Sequence, residues 1–209
     1  MLGTQNLFMF MLAGLLLNMT PGADTLYIVG RSAAQGCRAG IVAALGIGAG
    51  CTIHILAATI GLSAILAASS TAFTVVKWIG AGYLAYMGFS LLLSRGKPPT
   101  DQEKSSPAPL KGIFWQDFIT NALNPKVALF FLAFLPQFIA PDAPQKYLSM
   151  LFLGLLFNFN GTLWNLFLAW SSARLSEKLK ASARVAKWLN RACGGLFIYF
   201  SVKLARSKN

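Results

Sequence analysis

Asn18-Met19-Thr20-Pro21-Gly22-Ala23-Asp24 breaks an otherwise apolar run that extends from Leu2 to Val29 without a lysine or arginine. Crossing a bilayer as a helix takes about 20 apolar residues, and this run supplies them. Proline removes a backbone donor and leaves carbonyls unpaired, and the glycine beside it adds backbone freedom. Inside lipid such an opened helix is tolerable only where protein or a water-filled cavity covers it. The event recurs at Asn121-Ala122-Leu123-Asn124-Pro125-Lys126, within the apolar run from Ile113 to Ile139.

Four further runs are long and apolar: Ile41 to Ala68, Trp78 to Ser94, Tyr147 to Ala173 and Trp188 to Ala205. The last is the weakest, because Arg191 and Lys203 must snorkel to the interfaces. The pattern predicts an all-α integral membrane protein of six transmembrane helices. Each half opens with a proline-broken helix and closes with a helix bearing Lys-Trp, at Lys77-Trp78 and Lys187-Trp188. Residues 1–94 form the first three-helix repeat, 95–112 a cytoplasmic linker holding Pro98, Pro99, Pro107 and Pro109, and 113–209 the second repeat. Three spans per half is an odd number, so the halves are inverted in the membrane. Paired broken helices in inverted repeats are the plan of secondary transporters, with the substrate site at the breaks.

Composition agrees. The chain has 209 residues, 56% hydrophobic and 11% charged, against about 25% charged in an ordinary soluble domain. Its net charge of +12 does not mark a nucleic-acid binder, since the cations fall in short stretches between apolar runs. Arg31 and Arg38 lie in the first loop, Arg95, Lys97, Lys104 and Lys111 in the third, and Arg174 to Arg191 in the fifth; the second and fourth have only Lys77 and Lys146. Loops one, three and five are therefore cytoplasmic and the N-terminus is external. The basic tail, Lys203, Arg206 and Lys208, fits an internal C-terminus and five spans, whereas the repeat requires six. The N-terminus has no basic start before its apolar run, so that run is expected to remain as a membrane helix. Cys37, Cys51 and Cys193 show no metal-ligand spacing and read as packing residues.

Asp24 is the acid that stands deepest in an apolar run. Such residues are functional by default, although Asp24 could instead only cap the half-helix after the break. Thr20, Pro21, Gly22, Asn121, Asn124 and Pro125 are the candidate substrate-binding residues at the two breaks. Asp24, with Lys126 as its prospective ion-pair partner, and the lone His54 are the candidates for proton coupling. The bland role of His54 is a hydrogen bond between helices. Asn158, Asn160 and Asn165 line a polar pathway or bond to neighbouring helices. Glycines at Gly46, Gly48, Gly50, Gly80, Gly82 and Gly88 permit close packing, and their faces would serve a homodimer.

Thr20-Pro21-Gly22-Ala23-Asp24, Gly30-Arg31-Ser32 and Gln35-Gly36-Cys37-Arg38-Ala39-Gly40 resemble the first-helix signature of the LysE/RhtB family of amino-acid exporters. Asn124-Pro125-Lys126 through Phe130-Phe131-Leu132-Ala133-Phe134-Leu135-Pro136-Gln137-Phe138 resembles its second signature. Ala23 stands where the family often has a second proline, and Asp117 where a small residue is expected. The resemblance implies export of amino acids or their derivatives from the bacterial cytoplasm across the inner membrane, by proton antiport and without a cofactor. Two other classes fit less well. An intramembrane enzyme would need a catalytic constellation, and neither HExxH nor GxSxG is present. A small-solute or ion channel is the alternative, distinguished from a carrier by saturation and by response to a proton gradient.

Overall fold

A computed structural model describes residues 3–20, 22–62, 70–93, 108–140, 143–175 and 183–206. These form α1 (Leu7–Met19), α2 (Ala23–Gln35), α3 (Cys37–Ala57, continued by a π-turn over Ala58–Leu62) and α4 (Ser70–Leu93). The second half holds α5 (Leu110–Ala122), α6 (Pro125–Phe134, tightened to a 3-10 turn over Leu135–Phe138), α7 (Lys146–Leu175) and α8 (Ala183–Arg206). Among the described residues the sole β pairing is an isolated bridge between Thr4 and Ile139. Pro21, most of the linker and residues 63–69, 141–142 and 176–182 lie outside the described residues, while Lys77, expected in the second loop, lies within α4.

The protein is an all-helical, multi-pass membrane protein. Cys37–Gly61 and Lys146–Arg174 are each long and apolar enough to cross a bilayer. Two bent pairs pass the same test when joined: α1 with α2, at 57°, and α5 with α6, at 46°. These give between two and four spans. Large apolar side chains face outward along the helices, among them Phe89, Leu93, Phe159 and Tyr86. Water would penalise that surface and lipid does not.

Both breaks fall where the sequence predicts, but the helices extend further than its apolar runs. α2 continues past Val29 to Gln35 and carries Arg31, which is 7% exposed and so is not a loop residue. Gly36, at φ 84°, then turns the chain directly into α3. α5 begins at Leu110, and α7 runs past Ala173 to Leu175.

The two broken pairs run antiparallel. At one end the Gln5 amide donates to the Phe138 carbonyl and the Ala140 amide to that of Gly3, each at 2.8 Å. At the other end the Gln35 side chain donates to the Ala108 carbonyl at 2.9 Å. The breaks thus cross midway. α3 packs on both α5 and α7, and α4 on α8. Glycines set these crossings. A Cβ on Gly46 or Gly50 would come within 2.5 Å of the Phe114 or Phe118 carbonyl oxygen of α5, and one on Gly48 within 2.8 Å of Thr162 on α7. The Gly46/Gly50 face expected to serve a homodimer is therefore used inside the chain.

Two apolar clusters bracket the crossing. Toward the Thr4–Ile139 end, Phe10, Phe130, Phe131, Phe134, Phe138, Phe157 and Phe200 pack together. Toward the Gln35–Ala108 end the seal is smaller: Ile28, Ala39, Ala43, Ala44, Ile47, Ile113 and Ala169.

Candidate functional site

A cavity of about 40 Å³ lies at the crossing of the breaks, lined from α1 and α2 by Leu17, Asn18, Thr20, Gly22, Asp24 and Thr25. Asn121, Asn124, Lys126 and Val127 line it from the second break, Ile47, Gly48 and Cys51 from α3, and Phe157, Asn158, Gly161, Thr162 and Asn165 from α7. The volume holds about three waters. Leu17, Cys51, Val127 and Phe157 belong to one apolar cluster and Ile47 to the other, so the cavity sits between two seals.

The first break leaves a helix start open. α2 is entered through Gly22 in extended conformation with no side-chain cap. The Leu26 amide is the first to return to this turn, reaching the Gly22 carbonyl at 3.1 Å. The preceding amides are helix-start donors and carry the positive end of the dipole. The second break is closed instead. Asn124 caps α6, its Oδ1 accepting from the Lys126 amide at 3.0 Å, with proline in the first helical turn where its missing donor is harmless.

Asp24 and Lys126 both reach the crossing, and each holds the opposite break. The Lys126 ammonium donates to the Leu17 and Thr20 carbonyls, each at 3.3 Å, at the end of α1. The Leu17 carbonyl also accepts there from the Thr20 amide, at 3.2 Å, and a cation at a helix C-terminus meets the negative end of its dipole. The Asp24 carboxylate accepts from Asn121 Nδ2 at 2.9 Å and from Asn124 Nδ2 at 3.4–3.5 Å. The acid of the first break is thus held by asparagines of the second, and the lysine of the second break holds carbonyls of the first. Asp24 is more than a helix cap, since its side chain reaches across to the other half.

The remaining candidates divide. The Thr20 hydroxyl donates back to the Leu16 carbonyl at 2.8 Å, which closes α1, and Thr20 lines the cavity. His54 is buried, with Nε2 2.8 Å from the Asn121 carbonyl oxygen; Nε2 is the donor there, because a carbonyl can only accept. It braces the second break and stacks on Phe131. Pro125 supports α6, and Pro21 lies outside the described residues. Asn158 and Asn165 line the cavity and Asn160 is not among its lining; Asn158 also donates to the Gly48 carbonyl at 3.1 Å. Sequence reasoning missed Asn18, whose buried Nδ2 has no partner among the described residues. It missed Thr25, Phe157 and Thr162 as well. The signal for Asn18 was its position three residues before the proline.

The model of the LysE type translocator family matches residues 15–208. The chain belongs to the LysE type translocator family. Among its relatives is the leucine efflux protein of Salmonella typhimurium strain LT2, 28% identical over 207 residues that cover 97% of this chain and 96% of that protein. The counterpart in Salmonella choleraesuis has the same identity and coverage. An uncharacterized membrane protein of Pseudomonas aeruginosa is 28% identical across 98% of this chain and 96% of its own length. No solved structure matches. For a translocator of this family, the crossing of two broken helices around an acid and a base is the natural place to look for the transported solute.

Proposed function

We propose that this translocator exports neutral amino acids, leucine among them, from the cytoplasm in exchange for protons. The carrying observation is the arrangement at the crossing: one acid, one base and one open helix start around a cavity that lies between two apolar clusters. An amino acid is a zwitterion. Its carboxylate fits the start of α2, where the Lys126 ammonium lies 3.7 Å from the position of a Cβ on Gly22. Its ammonium fits Asp24 and the Asn121 Oδ1, a buried acceptor without a partner among the described residues. Its side chain fits the apolar lining from Leu17, Val127 and Phe157. A further cation on the side chain would meet no second acid in the lining, which favours neutral substrates.

Coupling follows from competition. A proton and a substrate ammonium both neutralise Asp24, so each excludes the other there. A proton bound from outside is released inside and replaced by substrate, and the loaded carrier then opens outward. His54 and Asn124 act as positioning residues in this scheme. Thr20, Gly22, Asn121 and Pro125 shape the site, with Pro21 assigned to it from the sequence alone. The cavity is too small for leucine as it stands, so loading requires the halves to part on one side. Six spans, with 1–94 and 113–209 as inverted halves joined by residues 95–112, supply that motion. The antiparallel crossing of the two broken pairs supports the inverted arrangement. The basic loops assign the Gln35–Ala108 end to the cytoplasm and the Thr4–Ile139 end to the outside of the inner membrane. Two apolar seals favour a carrier over a channel.

The test is efflux from cells preloaded with labelled leucine. Cells overproducing the chain should lose leucine several-fold faster than cells with an empty vector, with a rate that saturates and collapses when a protonophore is added. Equal rates in the two strains, for leucine and for other neutral amino acids, would remove the assignment.

A further inference from the structure

One polar group at the crossing is left unmet by the arrangement described above. Asn18 lies on α1, shortly before the break, and lines the cavity. Its Nδ2 is buried and has no hydrogen-bond partner among the described residues. A buried donor in that condition is costly unless something answers it. The neighbouring amides are engaged. Asn121 and Asn124 give their Nδ2 groups to Asp24, and Asn158 gives its own to the Gly48 carbonyl. The Lys126 ammonium is bonded to the Leu17 and Thr20 carbonyls, which flank Asn18 in the chain.

Packing explains where this amide rests. α1 and α7 meet through matched contacts one turn apart on each helix. A Cβ on Gly14 would lie 3.0 Å from the Phe157 ring, and one on Gly161 would lie 2.9 Å from Asn18 Nδ2, 3.1 Å from Oδ1 and 3.2 Å from Cγ. Amide atoms at such similar distances lie face-on against Gly161, where a larger residue would displace them. The amide is thus stowed on the α7 wall. Rotation about χ2, which is broad for asparagine, brings Nδ2 to the cavity that the same side chain lines without moving either helix. The walls of the cavity therefore hold a donor, on Asn18, and an acceptor, the Asn121 Oδ1, that are both unmet among the described residues. A zwitterion carries a partner for each.

We propose that Asn18 is a specificity-determining residue that tells a free carboxylate from its neutral derivatives. On loading, Nδ2 turns from Gly161 into the cavity and donates to a carboxylate oxygen of the substrate, alongside Lys126 and the start of α2. Lys126 and the helix dipole attract the charge, and Asn18 adds a directed donor whose bond is strongest when the acceptor is ionised. Amides and esters of amino acids present a neutral carbonyl at the same place and gain less from it. Gly161 acts through Asn18, as a positioning residue that gives the amide its resting place. The nature of the ligand as an amino acid rests on the reading under Proposed function.

The test is exchange of labelled leucine by inside-out membrane vesicles preloaded with unlabelled leucine. Equal, well-buffered, mildly acidic pH on both sides keeps amines charged and leaves a permeant amine no gradient to collapse. Leucine and leucinamide are compared as competitors; leucinamide keeps the ammonium and the side chain and carries a neutral amide in place of the carboxylate. The parent should prefer leucine. In Asn18→Ala, leucine should weaken at least about tenfold, the worth of a hydrogen bond to a charged group. Leucinamide should weaken about threefold or less, because it offers a neutral acceptor. A role confined to packing α1 on α7 would weaken both alike. Equal losses, no loss for either, or a parent that does not distinguish the two ligands overturns the proposal. If Asn18→Ala does not reach the membrane, Asn18→Leu, which refills the volume without a donor, is judged by the same outcomes. Absence of leucine exchange in the parent is a separate result: it removes the exporter reading, and this proposal with it.

Discussion

Gly50→Ala puts the seat of the site under a load that can be worked out from the packing. The added Cβ would stand 2.5 Å from the Phe118 carbonyl oxygen, 3.0 Å from the Asn121 Cβ and 3.1 Å from the Ala122 amide nitrogen. Two of these neighbours are backbone, so no side chain can swing aside. α5 must retreat from α3 by about 1 Å to reach ordinary contact, and overpacking of this kind costs about 1–3 kcal/mol. The retreat carries Asn121 with it. Its carbonyl would leave His54, now 2.8 Å away, and its amide would leave Asp24, now 2.9 Å away. A misplacement of about 1 Å at a working site can lower a rate by about a hundredfold. The expected outcome is a lower melting temperature in detergent, by a few degrees, with leucine efflux reduced at least tenfold and a normal amount of protein in the membrane. Gly82→Ala is the control, because a Cβ there meets nothing within 4 Å. The reasoning fails if Gly50→Ala transports and melts like the parent, or if Gly82→Ala is equally damaged.

Lys126→Met removes a charged donor from the Leu17 and Thr20 carbonyls, worth about 1.5–3 kcal/mol for a charged hydrogen bond; it should weaken protection of Cys51 by leucine, read as maleimide labelling with and without substrate. Asn124→Ala removes the cap of α6, worth about 0.5–2 kcal/mol, and should lower the melting temperature, whereas Asn124→Ser should recover most of it. A reporter placed ahead of Ala108 should be cytoplasmic and one at Ala143 external; the reverse result would invert the assignment of the two ends.

The breaks were legible because proline and glycine act on the backbone locally, whatever the rest of the chain does. Asp24 was legible for a similar reason, as a charge in an apolar run. The partners of Asp24 and Lys126 were not. They depend on the register of two antiparallel broken helices whose contacts join residues 97 positions apart, and no local pattern sets that register. An opposite charge on the matching break invites an ion pair, and nothing local announces that the carbonyls at the end of α1 also serve Lys126 as acceptors. Arg31 was misplaced because the apolar run ends at Val29 while the helix does not. α2 is polar enough to resemble a loop, but Ile28, Arg31 and Ser32 are all buried on it. Asp117 was visible as a departure from a small residue and a second acid near the cytoplasmic mouth; that both its oxygens lack hydrogen-bond partners among the described residues follows from packing alone. The sixth span stands in between. α8 is long enough to cross at about 1.5 Å per residue, yet its basic residues keep it out of the spans that composition identifies.

The central claim is that Asp24 exchanges a proton for the ammonium of the substrate. Asn at this position keeps the shape and can hydrogen-bond, but cannot bind a proton or balance an ammonium. Inside-out vesicles with an acidified interior test it directly, because their lumen corresponds to the outside of the cell. The parent should accumulate labelled leucine above its external concentration. Asp24→Asn, present in the membrane at the parental level, should show no accumulation under the same pH gradient and at most a slow approach to equal concentrations. Accumulation by Asp24→Asn to the parental level would contradict the account.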